Sequence, residues 1–180
     1  MAVTQNTAES GRRDAVLESA LLTFARHGYR KTSMAEVAHA ARISRPGLYF
    51  LFASKEDLFR AAVTRALEQD LAAAERILAD PGPPLRERLL GAFDRWAGRY
   101  VGPMSRDVPS VIEQNPDLLG SITRTAPERF EELVVTAVGG PAAAGVAQTL
   151  ISASVGLKYQ VGTREEYLAR MATAIGLLVP

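Results

Sequence analysis

The chain has 180 residues, of which 47% are apolar and 23% charged, so it is long enough for one compact core or for a small domain on a larger one. It holds no cysteine, which excludes a disulfide framework, a thiolate metal site and a thiol nucleophile. The net charge of +1 conceals an asymmetry: residues 1–65 hold ten Arg and Lys against six Asp and Glu, whereas residues 66–180 hold eleven against fourteen. The basic part is therefore the amino-terminal one.

The amino-terminal segment, residues 1–11, is polar and rich in alanine and threonine, and it lacks the apolar centre of a signal peptide. No run of 18 apolar residues occurs anywhere in the sequence. We therefore expect a disordered tail over residues 1–11, a cytoplasmic location and no membrane partner. Residues 14–27 then carry apolar side chains at helical spacing, from Val16 to Ala25, which predicts an amphipathic helix.

Two very short helices follow, each with its own start signal. Ser33 and Glu36 form a capping box, in which the serine hydroxyl accepts from the Glu36 amide and the carboxylate reaches back. The chain turns near Arg42, and Ser44 is the N-cap candidate of the next helix. A third cap at Ser54 limits that helix to about two turns. Helices this short are not stable alone and must pack on the preceding helix.

Two short helices joined by a tight turn predict a helix-turn-helix, whose second helix lies in the major groove of DNA. Residues 45–51 then take the reading role. Arg45 carries the planar fork that bonds guanine O6 and N7, and Tyr49 and Phe50 are placed to reach a phosphate and a thymine methyl. Two alternatives stay open: Arg45 as a solvated surface arginine, and Tyr49 or Phe50 packed in the core beside the inward-facing Leu48 and Phe52.

Residues 12–60 resemble the DNA-binding domain of the tetracycline-repressor-like (TetR/AcrR) family of transcriptional regulators. The resemblance rests on four pieces: Phe24 to Tyr29, Thr32 to Met34, Ile43 to Phe50, and Ser54 to Leu58. The resemblance implies that residues of these pieces contact phosphates and bases. Arg42 in the turn and Ser44, the N-cap of the reading helix, are further candidates. The candidate DNA-binding residues are Thr32, Ser33, Arg42, Ser44, Arg45, Pro46, Gly47, Tyr49, Phe50 and Lys55.

The sequence departs from this family at two positions. Arg42 stands where the family commonly has a turn glycine in the left-handed conformation, which costs a non-glycine residue about 1 kcal/mol. A phosphate bound by its guanidinium is one way to offset that cost. Leu51 replaces a residue that is often polar in the family, so a base contact from the last turn of the reading helix is not expected.

The rest of the chain is also expected to be helical, since no alternating strand pattern occurs. Helices are predicted over residues 54–79 and 85–101, over about twenty residues ending at Val138, and over 141–158 and 164–178. The fold class is thus all-α: a three-helix helix-turn-helix domain over residues 12–60 joined to a larger helical regulatory and dimerisation domain over residues 61–180.

The resemblance implies that the region 85–138 binds a ligand and that the last two helices pair two subunits. Candidate ligand-binding residues are Phe93, Trp96, Tyr100, Met104, Ile112, Glu113 and Phe130, with core packing as the alternative. Candidate dimer-interface residues are Val146, Leu150, Ala153, Leu157, Leu168, Met171 and Ile175, with packing inside one subunit as the alternative.

These patterns together favour a ligand-responsive transcriptional regulator, a repressor that binds a palindromic operator as a homodimer and is released by a small apolar effector. The alternative is a helical protein–protein interaction module that binds neither DNA nor ligand. An enzyme is not expected, because both histidines, His27 and His39, fall within the helix-turn-helix segment and no glycine-rich phosphate loop occurs. No metal or cofactor is expected either.

Overall fold

A computed structural model describes the backbone of residues 2–102 and 116–179 and the side chains of residues 11–102 and 118–179. Within these ranges the protein is all-α, as predicted, and no strand occurs. The helices are α1 (Ala2–His27), α2 (Met34–Ala40), α3 (Arg45–Leu51), α4 (Lys55–Ala79), α5 (Leu85–Trp96), a 3-10 turn (Gly98–Tyr100), α6 (Pro116–Leu119), α7 (Ile122–Val138), α8 (Ala143–Gln160) and α9 (Arg164–Leu178). None of the described helices is both long enough and apolar enough to cross a membrane.

The chain divides into two compact units. Among the described residues, the N-terminal unit consists of 2–66 and 116–120, and the C-terminal unit consists of 67–102 and 121–179. The sequence placed the boundary at residue 60, whereas the contacts divide the chain inside α4 and assign a later segment to the N-terminal unit. A continuous helix carries no turn or composition signal at such a boundary, which is why the sequence did not locate it.

The first helix begins earlier than expected. The sequence predicted a disordered tail over residues 1–11, but α1 starts at Ala2. Extending an existing helix costs much less than nucleating one, and the part of α1 that begins at residue 12 is anchored by the buried Val16, Leu17 and Phe24. Alanine and glutamate in the preceding stretch are good helix formers, so the helix continues backwards through it.

The short helices of the N-terminal unit begin at the caps that the sequence predicted. Ser33 caps α2 in a complete capping box with Glu36, and the Ser44 hydroxyl accepts from the Gly47 amide at 3.1 Å at the start of α3. Ser54 accepts from the Asp57 amide at 3.1 Å before α4. Helix α2 contacts both α1 and α3, and Phe59 of α4 meets Phe24 of α1 edge to face, with ring centroids 5.1 Å apart. The side chains that these helices bury completely include Val37, Leu48, Phe52 and Phe59.

The C-terminal unit has a core formed by one face of each of its helices. Phe93 of α5 meets Phe130 of α7 edge to face, with ring centroids 5.2 Å apart. The core also holds one buried polar pair, in which the hydroxyls of Ser154 (α8) and Tyr167 (α9) share a hydrogen bond of 2.7 Å. Two polar groups that satisfy each other are tolerated in such a core, whereas an unpaired one costs free energy.

The helix predicted over residues 85–101 ends earlier, at Trp96, and continues as the 3-10 turn. Gly98 explains the difference. A Cβ at this position would lie 3.0 Å from the Tyr167 ring and 2.7 Å from an oxygen of Asp94, so the backbone approaches α9 more closely than any side chain allows. Glycine is also a poor helix former, and the α-helix ends just before it.

Candidate functional site

The outward face of α3 carries exposed side chains with two aromatic rings. Phe50 is 86% exposed and Tyr49 is 44% exposed, while Leu48 and Phe52 are buried as predicted. The alternative that Tyr49 or Phe50 packs in the core is therefore wrong. The Arg45 guanidinium carbon lies 5.7 Å from the centre of the Tyr49 ring, which pre-orients this exposed arginine along the helix. Pro46 is also exposed and Gly47 half-buried, so backbone is accessible at the start of the face.

The start of α2 presents a second exposed polar group. The Ser33 amide and hydroxyl both donate to the Glu36 carboxylate, at 2.7 and 2.8 Å, and the Glu36 amide donates to the Ser33 hydroxyl at 3.2 Å. The hydrogen bond from the Ser33 backbone, followed by the one from its hydroxyl, lowers the pKa of Glu36 below its ordinary value. This cap fixes the direction of α2 relative to the turn that leads to α3.

The turn between α2 and α3 contains a strained residue. Arg42 has φ +55°, the left-handed conformation predicted at this position from the sequence. Its amide donates to the His39 carbonyl at 3.1 Å, and its side chain is exposed. This backbone conformation costs an arginine about 1 kcal/mol relative to a glycine. A favourable contact of the guanidinium would offset that cost.

Two expected phosphate contacts have different roles in the structure. Thr32 is buried, and both its amide (3.2 Å) and its hydroxyl (2.8 Å) donate to the Gly28 carbonyl, so neither is left for a phosphate. The Lys55 ammonium donates to the carbonyls of Tyr29 (3.1 Å) and Thr32 (3.2 Å) and lies 4.4 Å from the centre of the Tyr29 ring. Lys55 therefore holds the loop between α1 and α2 and is a positioning residue.

An open cleft of about 660 Å³ lies between α1 and α2 in the N-terminal unit. Both histidines of the protein line it, and both are exposed. Among the residues whose side chains are described, no three His, Asp or Glu are grouped closely enough to hold a metal ion. The cleft is lined by Ser19, Leu22, Thr23, Arg26, His27, Ala35, Glu36, His39 and Ala40.

The expected ligand-binding aromatics of the C-terminal unit are mostly core. Phe93 and Phe130 are fully buried against each other, so their inclusion in a pocket lining is corrected to core packing. Trp96 is half-buried and stacks on Phe130 at 4.8 Å between centroids, and Tyr100 is half-buried as well. Three other expected lining residues, Met104, Ile112 and Glu113, lie outside the described residues.

The expected dimer stripe also needs correction. Leu150, Leu157, Met171 and Ile175 are buried in the core of the C-terminal unit, so a second subunit cannot reach them. The other three members, Val146, Ala153 and Leu168, are half-buried. The apolar side chains that do face outward on α8 and α9 are Val155, Tyr159 and Leu177, the last of which is 82% exposed.

One polar cluster in the C-terminal unit was not foreseen. Asp70 of α4 has a side chain that is only 1% exposed, and its oxygens meet Arg95, Arg99 and Tyr100. The sequence did contain a signal: Asp70 lies on the face of α4 that carries Leu67, Leu71 and Ala74, and an acid on an apolar helix face is unusual. An isolated charge at that position has to be paired.

Comparison with known proteins gives a consistent result. The family model of the bacterial regulatory proteins, tetR family, matches residues 16–62. The chain is 41% identical over 98 residues to the HTH-type transcriptional repressor ComR of Escherichia coli K12, which covers 54% of this chain and 45% of that protein. It is 31% identical over 84 residues to a probable acrEF/envCD operon repressor of the same organism, covering 43% and 37%. These alignments span less than half of each curated relative.

Solved structures share the fold over nearly the whole chain. The reduced form of E. coli NemR superposes with a TM-score of 0.76 at 14% identity, covering 94% of this chain and 98% of that one. A transcriptional regulator from Saccharomonospora viridis, solved in complex with choline, superposes with a TM-score of 0.74 at 18% identity, covering 93% and 96%. Residues 16–62, from α1 to the first part of α4, thus match the tetR family of bacterial regulatory proteins, and the chain as a whole shares the fold of these solved structures.

Proposed function

We propose that this protein is a transcriptional regulator that binds duplex DNA through α3 and is released by a small molecule bound in the C-terminal unit. The observation that carries the proposal is the outward face of α3, where Arg45, Tyr49 and a Phe50 that is almost fully exposed stand together on a helix fixed by the buried Leu48. A large aromatic ring is seldom left so exposed unless a partner covers it. The match of residues 16–62 to a family of regulatory proteins supports DNA as that partner and supports the expectation that the protein is not an enzyme.

The contacts proposed for DNA follow from exposure and chemistry. Arg45 bonds a guanine edge, Phe50 contacts a thymine methyl, and Tyr49 reaches a phosphate. Pro46 and Gly47 allow close approach of the backbone, while Ser33, Ser44 and Arg42 stand at helix starts and at the turn, where they meet phosphates. Lys55 and Thr32 support these residues from behind instead of touching DNA.

We propose further that the protein acts as a homodimer on an operator with two-fold symmetry. One short helix reads only a few base pairs, so two copies in successive major grooves are needed for useful specificity. The surface proposed for pairing is the outward face of α8 and α9, which carries Val155, Tyr159 and Leu177. Two such pairs of helices form a four-helix bundle, the usual way in which apolar helix faces are covered.

Release by an effector requires that the effector bind preferentially to a conformation with low affinity for DNA. The C-terminal unit is proposed as its site because its fold is shared with a regulator that was solved with a bound small molecule, choline. Helix α4 is the proposed lever, because it holds residues of both units within a single continuous helix.

Two measurements test the proposal. Selection of duplexes from a random pool followed by footprinting should give two half-sites about one helical turn apart, with affinity that falls steeply as salt rises. Sedimentation should show a dimer that Leu177→Glu dissociates, while Leu22→Glu, at another exposed apolar position in the N-terminal unit, leaves it intact. A monomer without any selected duplex would instead favour the protein–protein interaction module.

A further inference from the structure

The buried cluster around Asp70 in the C-terminal unit joins three elements. Oδ1 of Asp70 lies 2.7 Å from Nη1 of Arg99 and 2.9 Å from Nε of Arg95, and Oδ2 accepts a hydrogen bond from the Tyr100 hydroxyl at 2.5 Å. Asp70 belongs to α4, Arg95 to α5, and the other two to the 3-10 turn. Two cations and one neutral donor thus converge on a single carboxylate, which leaves the cluster with a net positive charge.

The Asp70 carboxylate does not occupy all the hydrogen-bond donors of the two arginines. Each guanidinium has five N–H donors, and of these ten only one N–H of Arg99 makes an aligned hydrogen bond to Asp70. The Arg95 Nε is buried and, although close to Asp70, is not aligned for a hydrogen bond with it. Both arginine side chains are about one third exposed, at 35% and 36%, so part of each side chain reaches the surface of the unit.

Asp70 itself is poorly suited to its position. Burial raises its pKa, and this effect outweighs the opposing effects of Tyr100, Arg99 and Arg95, the groups that face it from the neighbouring elements. The carboxylate therefore loses more by leaving water than it gains from its partners. An anion that reached the same arginines from the exposed side would lose less hydration and would use the donors that Asp70 leaves free.

A second ion pair of the same unit shows what a purely structural pair looks like. Arg164 of α9 donates through Nε and Nη2 to both oxygens of Asp94, at 2.7 and 2.5 Å. One cation meets one anion in a bidentate arrangement, so no charge is left over. The Asp70 cluster differs in its charge excess, its misaligned Nε and its buried acid.

From these differences we infer that Arg95 and Arg99 bind the acid group of an organic anion, a carboxylate or a phosphate. When the anion is absent, the Asp70 carboxylate takes the place of that acid group. The inference rests on the proposed function, since it names the chemical class of the effector. It also gives a physical link to DNA binding: Asp70 lies on α4, the helix that begins at Lys55, so displacing Asp70 from its partners acts on the proposed lever.

The displacement has a proton signature. A carboxylate that stays buried after losing two arginines takes up a proton, because the neutral acid is the form that burial favours. Binding of an organic acid is therefore accompanied by proton uptake at neutral pH. Titration calorimetry in buffers of different ionisation enthalpy measures this uptake directly, and a ligand that binds elsewhere in the unit has no reason to show it.

The test compares benzoate, phenyl phosphate and the uncharged benzamide on the full-length protein. Benzoate, phenyl phosphate or both should bind the wild-type protein, and benzamide should not; the ratio of the two affinities shows which acid group the site prefers. Asp70→Asn removes the competing charge at nearly constant volume, so it should bind the acids about tenfold more tightly, within the usual range of coupling between linked sites. Arg99→Gln should bind them at least about tenfold more weakly.

Arg164→Gln is the matched control, since it removes an arginine from the other ion pair of the same unit and should leave acid binding unchanged. Circular dichroism of each variant verifies folding. If Asp70→Asn and the wild type bind the acids no better than benzamide, or if Arg164→Gln weakens binding as much as Arg99→Gln, the inference is wrong. Operator selection is carried out separately: a protein that footprints DNA but ignores acids retains the proposed function, whereas failure to bind any duplex refutes that function itself.

Discussion

The two units of this protein place the same kind of residue in opposite surroundings. In the N-terminal unit, Tyr49 and Phe50 of α3 face outward, whereas in the C-terminal unit Phe93 and Phe130 are fully buried. Helical spacing alone does not show which of these two pairs of rings is exposed and which is buried. The difference arises because α3 has only two turns and buries a single anchor, Leu48, so much of its remaining surface is exposed. The same type of residue is thus exposed on the short helix α3 and buried on the longer helices α5 and α7.

The largest expected effect contrasts one ring from each unit. Phe93→Ala should lower the free energy of unfolding by about 3 to 5 kcal/mol, because it opens a cavity beside Phe130. Phe50→Ala should change that free energy by no more than about 0.5 kcal/mol, because its ring is already in water. Urea unfolding followed by circular dichroism measures both. Similar losses for the two variants would remove the contrast on which the assignment of α3 depends.

The next effect concerns base reading. Arg45→Ala should cost about 1 to 3 kcal/mol of binding to the selected operator and should relax base preference at one position of each half-site. Arg129→Ala removes an exposed arginine of the C-terminal unit and serves as the control, with no change in preference. Selection repeated with each variant gives the comparison. A uniform loss across all sequences would assign Arg45 to phosphate contact instead.

A smaller effect is expected at the strained turn. Arg42→Gly should raise the free energy of unfolding by up to about 1 kcal/mol, because glycine adopts φ +55° without steric cost. The same variant should weaken operator binding if the guanidinium contacts a phosphate. Arg76→Gly, the same substitution within α4, should instead destabilise by about 1 kcal/mol. Thermal unfolding and DNA titration of both variants measure these effects. An Arg42→Gly variant that is less stable than the wild type and binds DNA equally well would contradict the prediction.

The smallest effects are on pH dependence, and the two units should respond in opposite directions. The hydrogen bonds from Ser33 lower the pKa of Glu36, so its contribution to stability is present above its unfolded pKa and is lost as pH falls through the folded value. Burial raises the pKa of Asp70, so its contribution is present below the unfolded pKa and is lost as pH rises through the folded value.

Urea unfolding of the wild type, Glu36→Gln and Asp70→Asn tests these opposite responses at neutral pH and at about pH 4, near the ordinary carboxyl pKa values. The stability advantage of the wild type over Glu36→Gln should shrink on acidification. Relative to Asp70→Asn, the wild type should gain stability over the same range. Parallel changes for both pairs would mean that the two carboxylates do not differ as their surroundings imply.

Much of the N-terminal unit was predictable because its signals are local. Caps at Ser33, Ser44 and Ser54 define where helices begin, and the inward positions of Leu48 and Phe52 follow from spacing. The hydrogen bonds of Thr32 and Lys55 were not predicted, because their partners are carbonyls of the loop between α1 and α2, which have no sequence signature.

The C-terminal unit was predictable only as a set of helices. Helical periodicity shows which face of α8 or α9 is apolar, but not whether the same chain or a second copy covers that face. Leu150 and Met171 are covered by their own chain, which moved the proposed subunit contact to Val155 and Leu177. The Asp70 cluster depends on residues that are far apart in sequence and meet only in the folded unit.

The hydroxyl pair between Ser154 and Tyr167 has a consequence for how uniquely α8 and α9 fit together. Helix α8 is rich in alanine and glycine, and such smooth, similar side chains fit a neighbouring helix almost equally well after a slide of one turn, about 5.4 Å. A slide of that size would strand both hydroxyls in an apolar interior without a partner. The hydrogen bond therefore disfavours such a shifted register of α8 against α9, although it adds little stability to the correct register. It helps to define one register for two helices whose small side chains specify it weakly.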